Sequence, residues 1–301
     1  MVMLDVHGTD VLVRLMALAS RLEREGQYNV AKLARAAADA VVRRAAYARE
    51  LPGDKQVLAD ATEQLAADLT TFDVGAELVA ALRVGAQALA DGRFTLIDET
   101  PDAYVCRTCG YAVVKAPPVH CRTCGAWPET FQRWLPVYWL NELDPPAALE
   151  RLRQTPSAVA ALIEGIPEDA LSHEPAPGAW SLHQAVTHLR DAQGVLAYRL
   201  ERMLAEENPA LTALAVYAWA QNQAEQHPTT QEIFAEYLAA RAQLLARLMA
   251  IPLADWWRIG QHEEFGAVSI RQQVSYFAAH EATHLAQMEA LAKGARGVQS
   301  T

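Results

Sequence analysis

The sequence predicts an all-α protein: two helical bundles with a small β unit, organised by four cysteines, between them. Three observations predict it. Apolar residues recur at helical spacing through about residue 95. They recur again from Asp144 onward, in segments that open with capping residues. Between them lies CRTCGYAVVKAPPVHCRTCG, Cys106 to Gly125, which holds all 4 cysteines of the 301-residue chain. The expected division is residues 1–97 for the first bundle, 98–133 for the cysteine unit, and 134–301 for a linker and the second bundle.

The first bundle is alanine-rich. Leu12, Leu15, Met16, Ala19 and Leu22 share one helical face, and Val30, Leu33, Ala34, Ala37 and Val41 share a second. Val57, Ala61 and Leu65 form a third stripe, and Leu78, Ala81, Leu82 and Leu89 a fourth. Gly26, the Pro52-Gly53 pair and Thr70 to Asp73 separate them. Alanine at packed positions lets helices approach closely, so three or four antiparallel helices are expected. From Phe94 to Phe131 the pattern changes to short β-prone pieces, Tyr104-Val105 and Tyr111 to Val114, around the cysteines. The aromatic stretch Trp134 to Leu143 is expected to dock the cysteine unit onto a neighbour.

The second bundle starts at Asp144-Pro145-Pro146, an N-cap followed by prolines suited to a first helical turn. Capping boxes follow at Ser181 with Gln184, Thr229 with Glu232 and Ser269 with Gln272. Helices are expected at about 146–164, 181–206, 229–250 and 269–294, joined by loops of which the last two are longer and irregular.

Composition narrows the function. Hydrophobic residues make up 51% of the chain, which excludes disorder. A net charge of -10 and an acidic pI of about 5.4 oppose non-specific binding to nucleic acid or to an anionic membrane. No apolar run approaches the length of a membrane span. The N-terminus carries Asp5, His7 and Asp10 without the basic-then-apolar layout of a signal peptide, so a cytoplasmic location is expected. In a reducing compartment paired cysteines mean metal rather than disulfide. Cys106, Cys109, Cys121 and Cys124 form two C-x2-C-G knuckles, and four converging thiolates suit zinc or a single iron. Gly110 and Gly125 can take the left-handed turn each knuckle needs.

The last helix reads YFAAHEATHLAQM. Its His280 and His284 are four residues apart, an advance of about 400° and about 6 Å, so both imidazoles point the same way and can chelate one ion. His280-Glu281-Ala282-Thr283-His284 has the spacing of the zinc-peptidase H-E-x-x-H, but Glu281, directly after a candidate ligand, is expected to point off the metal face. In WSLHQAVTHLRDAQ, His188 shares an inward face with Ala185, Leu189, Ala192 and Val195. His183 falls about 140° away and is expected to be exposed. Gln184 and Asp191 flank His188, and Tyr276 and Gln287 flank the other pair, as candidates to support ligands or touch substrate, Tyr276 more simply as a core aromatic. His7, His120, His173, His227 and His262 are read as surface residues, with His262 a candidate for lining a cavity.

With its Trp180-Ser181 helix start, the histidine eight residues after the tryptophan, the late H-x3-H helix and the lead-in EPAPGAW, the stretch 144–294 resembles the DinB/YfiT-like metal-binding four-helix bundles. The resemblance implies one divalent ion held by His188, His280 and His284, which could be zinc, nickel, iron or manganese. It also implies a homodimer and a metal-dependent enzyme acting on a small molecule, as a thiol-dependent transferase or isomerase or as a hydrolase. All cysteines sit in the knuckles, so a thiol nucleophile would come from a low-molecular-weight cofactor. CRTCGY followed by CRTCGAWPETF, with Phe131 closing the segment, is similar to the rubredoxin-like module of rubrerythrins. The Glu-x-x-His pairs of a di-iron site are missing from the first 100 residues, and Arg122 stands where rubredoxins commonly have proline, which favours zinc over redox iron. Two other functions remain open at this level: a non-catalytic metal-binding stress-related adaptor or sensor, and electron transfer through an iron-loaded knuckle.

Overall fold

The computed structural model describes residues 6–47, 54–136, 142–176, 179–212 and 228–298. Pro52-Gly53, His227 and part of the aromatic stretch Trp134 to Leu143 lie outside the described residues, as does the His7 side chain. The chain divides into two compact units, Met1–Trp134 and Leu135–Thr301.

The first unit opens with four helices: α1 (Val6–Arg24), α2 (Tyr28–Tyr47), α3 (Lys55–Leu69) and α4 (Ala76–Ala90). They pair as α1 with α2 and α3 with α4. Asp54 caps α3 by accepting from the Gln56 and Val57 N–H groups. Alanines make the closest contacts: Ala31, Ala34, Ala38 and Ala45 are the buried residues of α2, and Ala59 and Ala66 those of α3. The expected stripes are therefore displaced. Val30, Leu33, Val57 and Leu65 are exposed, whereas Ala19 and Ala34 of the expected stripes are buried, and in α2 and α3 the covered Ala31, Ala38 and Ala66 lie one position further along. The physical reason is that α2 is apolar over a face wider than one neighbour covers, and the methyl-sized residues take the contact because they allow the backbones to approach. Arg35 of α2 also donates to both carboxylate oxygens of Glu23 on α1, at 2.7 and 2.9 Å.

The cysteine unit is a three-stranded antiparallel sheet, β1 (Ala103–Cys106), β2 (Ala112–Val114) and β3 (Phe131–Trp134), with β1 in the centre. It packs on α4 through the start of that helix. The Ala112 N–H donates to the Val74 carbonyl, and Gly75 lies so close that a Cβ there would fall 2.1 Å from the Ala112 oxygen. Gly75 also holds φ at +129°, which side-chain-bearing residues rarely adopt.

In the second unit a four-helix bundle is built from α5 (Pro145–Ile163), α7 (Leu182–Ala205), α8 (Thr230–Met249) and α9 (Ile270–Val298), with the single turn α6 (Glu168–Leu171) after α5. α9 packs against α5 and α7, α7 against α8, and α8 against α5, so the four close a ring in which α5 and α7 are diagonal. The expected caps form: Asp144 accepts from the Ala147 N–H, and Ser181 with Gln184 and Thr229 with Glu232 are reciprocal boxes. Ser269 and Gln272 exchange the same pair of bonds at 2.9 and 3.2 Å. The loop before α9, expected to be irregular, instead holds the hairpin β5 (Ile259–His262) and β6 (Gly266–Ser269), with the short strand β4 (Ala210–Leu211) parallel to β5. Its Gly266, at φ +72°, opens β6 directly after the turn.

The core of this bundle is in two apolar clusters. One gathers around Leu152, Leu196, Leu248 and Phe277, the other around Val159, Leu189, Tyr237 and Met288. Between them lies a buried polar layer. Arg241 of α8 pairs with both oxygens of Glu281 on α9, donates to the side chain of Gln193 on α7, and donates to the Leu152 carbonyl of α5 at 2.6 Å. Gln193 in turn donates to the Tyr237 carbonyl at 3.1 Å. Arg241 and Glu281 are each 2% exposed at the side chain. Burial pushes the Glu281 carboxyl up, and the Arg241 charge opposes it.

Two outcomes follow from these contacts. Gly75→Ala should destabilise the first unit by more than about 2 kcal/mol, since the added carbon meets backbone and the backbone angle is strained; a thermal melt of the variant matching the wild type would contradict the packing described. Arg241→Met should cost about 3–5 kcal/mol in urea denaturation, because it strands a buried carboxylate. Adding Glu281→Met should recover most of that loss, and a double variant as unstable as the single would refute the pairing.

Candidate metal centres

Among the described residues two groups of side chains converge closely enough to hold an ion: Cys106, Cys109, Cys121 and Cys124 in the first unit, and His188, His280 and His284 in the second. Within each group the ligand atoms lie within 4.8 Å of one another.

The two knuckles are copies of one backbone design. Gly110 donates to the Cys106 carbonyl and Gly125 to the Cys121 carbonyl, both at 2.9 Å, with φ of +85° and +73°. The Cys106 N–H donates to the Tyr111 carbonyl at 2.9 Å and the Cys121 N–H to the Ala126 carbonyl at 2.8 Å. Across the centre, Cys106 Sγ is 3.7 Å from Cys124 Sγ, and Cys109 Sγ is 3.6 Å from Cys121 Sγ. Disulfide sulfurs lie about 2.05 Å apart. Four sulfurs about 2.3 Å from one tetrahedral ion lie about 3.8 Å apart, close to what is seen. Burial opposes ionisation of Cys106, but the N–H groups of Cys109 and Thr108 and the neighbouring thiols outweigh it and bring the thiol down to about 6. Burial pushes Cys109 the other way, up to about 12.

The three histidines meet on the seam between α7 and α9. His188 Nε2 lies 3.2 Å and His284 Nε2 3.1 Å from the same atom, His280 Nε2. One ring nitrogen carries either one proton or one lone pair, so it cannot make a full hydrogen bond to both. Two nitrogens about 2.1 Å from a common ion lie about 3.0–3.4 Å apart, depending on geometry, so the three rings fit a shared cation. Gln287 Oε1 lies 3.2 Å from His284 Nδ1, a partner that holds the proton there and leaves Nε2 free to ligate. Burial, with the nearby His284 as a second cause, takes His188 down to about 4 and His280 to about 3. Burial also lowers His284, against the Gln287 bond. Neutral imidazoles at ordinary pH are what a metal requires.

Aromatic rings wall this group. Trp180 stacks on His284 with ring centres 5.5 Å apart and meets His188 edge-on at 4.9 Å. Tyr276 stacks on His280 at 5.9 Å. Thus Tyr276, read first as a core aromatic, also lies against a candidate ligand, and Gln287 contacts another.

Other flanking residues are placed elsewhere. Gln184 serves the capping box and reaches Glu174, and Asp191 binds Arg190 on the side of α7 that faces α8. His183 is not exposed but half-buried, 2.9 Å from Thr230 Oγ1, because α6 and the start of α8 cover that side of α7. His262 is buried in the hairpin and stacks on Phe265. Its Nδ1 accepts from the Glu264 and Phe265 N–H groups, and burial beside Arg199 lowers it to about 3. The surface reading of His262 failed because the strand that buries it went unrecognised; a glycine four residues on was the available signal.

Residues 151–288 match the profile of the DinB superfamily. The matched stretch spans most of the four-helix bundle and includes all three histidines. Over 156 residues the chain is 24% identical to a protein of Oceanobacillus iheyensis, covering 52% of this chain and 84% of that protein, whose name places it provisionally among metal-dependent hydrolases. YfiT from Bacillus subtilis, described as a probable metal-dependent hydrolase with an unusual four-helix bundle topology, aligns over 53% of this chain and 92% of its own, at 18% identity and a TM-score of 0.46. Among the described residues no helix is long and apolar enough to cross a membrane.

Proposed function

We propose that the C-terminal four-helix bundle is a DinB-like metal-dependent enzyme, and that His188, His280 and His284 hold its divalent ion. The observation that carries this reading is the approach of two imidazole nitrogens to a third, at 3.1 and 3.2 Å, in a setting that keeps all three neutral. An ion held there supplies Lewis acidity and lowers the pKa of a water or thiol that reaches it. The chain's own residues do the rest: Gln287 fixes the His284 tautomer, and Trp180 and Tyr276 hold two of the rings by stacking. Hydrolysis of a small molecule is the reaction class favoured, since it needs no group beyond water and agrees with the name of the Oceanobacillus relative. A transferase or isomerase would need an external low-molecular-weight thiol, because the 4 cysteines of the chain stand together in the knuckle unit.

The cysteine centre is proposed as structural zinc. Four sulfurs at tetrahedral spacing complete a coordination shell and leave no position for substrate. The sheet it organises has a small apolar cluster, Val113 and Phe131 with two of the cysteines, too little to hold a fold without an ion.

Elemental analysis separates the two centres. The wild type should carry about two ions per chain, and each of His188→Ala, His280→Ala and His284→Ala about one, since each group is a complete set. Unchanged metal content in all three variants would sink the histidine site. Sulfur-only coordination by X-ray absorption and a colourless protein are expected for the knuckle; visible iron–sulfur bands would turn the reading towards electron transfer. Catalytic use of the histidine ion requires access, so a small exogenous ligand such as azide should perturb the spectrum of the cobalt-substituted protein. A spectrum indifferent to such ligands would leave a structural ion and support the adaptor reading.

A further inference from the structure

Arg199 is a second charged group on the seam that carries the histidines. On α7, residues 188, 192, 195 and 199 fall on one face, and on α9 residues 273, 276 and 280 do the same. Arg199 therefore faces Gln273 and Tyr276, and its Nη1 donates to Gln273 Oε1 at 3.3 Å. Its Nη2 donates to the Thr212 carbonyl at 2.7 Å. The residue is 6% exposed. Its Nε is buried with no hydrogen-bond partner, and among the described residues no carboxylate pairs with it, Glu263 and Glu264 acting on it only at longer range. Both groups it does reach are neutral oxygens. Burying a guanidinium without an anion is unfavourable unless a partner is supplied. The charged and polar groups that act on it electrostatically are His262, Tyr276, Glu263 and Glu264.

The position relates Arg199 to the histidines through ring contacts. Tyr276 stacks on His280 on one side and meets Phe265 at 5.9 Å on the other, and Phe265 stacks on His262. Gln273, the partner of Arg199, lies seven residues before His280, about 10 Å along the helix. A small molecule can span that distance.

We propose that Arg199 is a specificity-determining residue that binds a carboxylate of the substrate, while the bond to be broken lies at the three histidines. This deepens the enzymatic reading above and rests on it for the place of the substrate's other end. A carboxylate is preferred to a phosphate dianion because a single guanidinium stands here beside two glutamates, whose charge penalises a second negative unit. A guanidinium also offers two parallel donors that match a carboxylate.

The probe is adipate, with the neutral adipamide as control, in calorimetry on the full-length protein. Adipate should bind and adipamide should not, and Arg199→Met should weaken adipate at least tenfold while leaving the metal content and the cobalt spectrum of the histidine site unchanged. Arg199→Lys, which keeps the charge, should retain part of the affinity. Should Arg199→Met fail to fold by circular dichroism, the Nε–H resonance of Arg199 in the wild type, assigned by its loss in Arg199→Lys, should move on adding adipate. Equal binding of adipate and adipamide, or adipate binding indifferent to Arg199→Met, or an Nε–H resonance that stays in place, would overturn the proposal. Metal removal distinguishes its failure from that of the histidine reading. Binding that survives stripping but not Arg199→Met supports the carboxylate subsite whatever the histidines do. Binding lost on stripping and kept in Arg199→Met puts the carboxylate on the ion and refutes the subsite.

Discussion

Arg241 and Glu281 form an ion pair at the centre of the C-terminal bundle, and the arrangement of the candidate site depends on it. The pair and its immediate partners touch all four helices: Leu152 of α5, Gln193 of α7, Arg241 and Tyr237 of α8, and Glu281 of α9. Its position explains why the apolar core is in two clusters rather than one. A buried pair of this kind contributes little net stability against an apolar replacement. It does restrict how the helices can rotate, because each of its donors and acceptors has one direction in which it is satisfied. Glu281 follows His280 directly on α9. Successive residues on a helix diverge by about 100°, so holding Glu281 towards Arg241 sets His280 and His284 towards α7 and His188.

Pro156 contributes to the same network through what it lacks. A proline inside a helix has no N–H to give to the carbonyl four residues earlier. In α5 that carbonyl belongs to Leu152, and it is the one to which Arg241 donates at 2.6 Å. The proline frees an acceptor on the inner face of the bundle, and the arginine of the facing helix uses it. A local weakness in one helix thus becomes a specific tie to another.

Much of this was legible in the residues. Ser181, Thr229 and Ser269 marked helix starts because a cap and its partner three residues on are local features, and all three boxes form. The histidine cluster was legible because i, i+4 spacing holds His280 and His284 on one face, and the inward stripe of α7 carried His188 to meet them. Contacts decided by partners far away in sequence were not. Arg241 continues the buried stripe of Ile233, Tyr237, Leu244 and Leu248, where a charged residue reads as an interruption until Glu281 is seen opposite it. His262 and Arg199 needed the β5–β6 hairpin, whose strands are four residues each: β5 alternates in burial, but its residues Ile259, Gly260, Gln261 and His262 carry no apolar–polar alternation that shows it. In the first unit, periodicity identified the helices but not which of two adjoining apolar stripes was covered, since both satisfy the same spacing.

The two candidate centres differ in a way that follows from their donors. Thiolates are anionic, and four of them, presented by two rigid turns, would saturate a tetrahedral ion and tie the strands of the small sheet together around it. Imidazoles are neutral, and three of them on two helices neither cancel the charge of a divalent ion nor fill its coordination shell. An anion or a polarised water is the natural further ligand for such an ion. The aromatic walls at Trp180 and Tyr276 would strengthen that attraction by lowering the local dielectric. Arg199, farther along the seam, is buried with its Nε unpartnered and no carboxylate within ion-pair distance among the described residues, and Glu263 and Glu264 nearby limit it to a singly charged partner. In the proposed reading, an ion at the histidines and the Arg199 guanidinium would stand on one helix seam with aromatic rings between them, an arrangement suited to a substrate with a carboxylate at one end and its reacting group at the other.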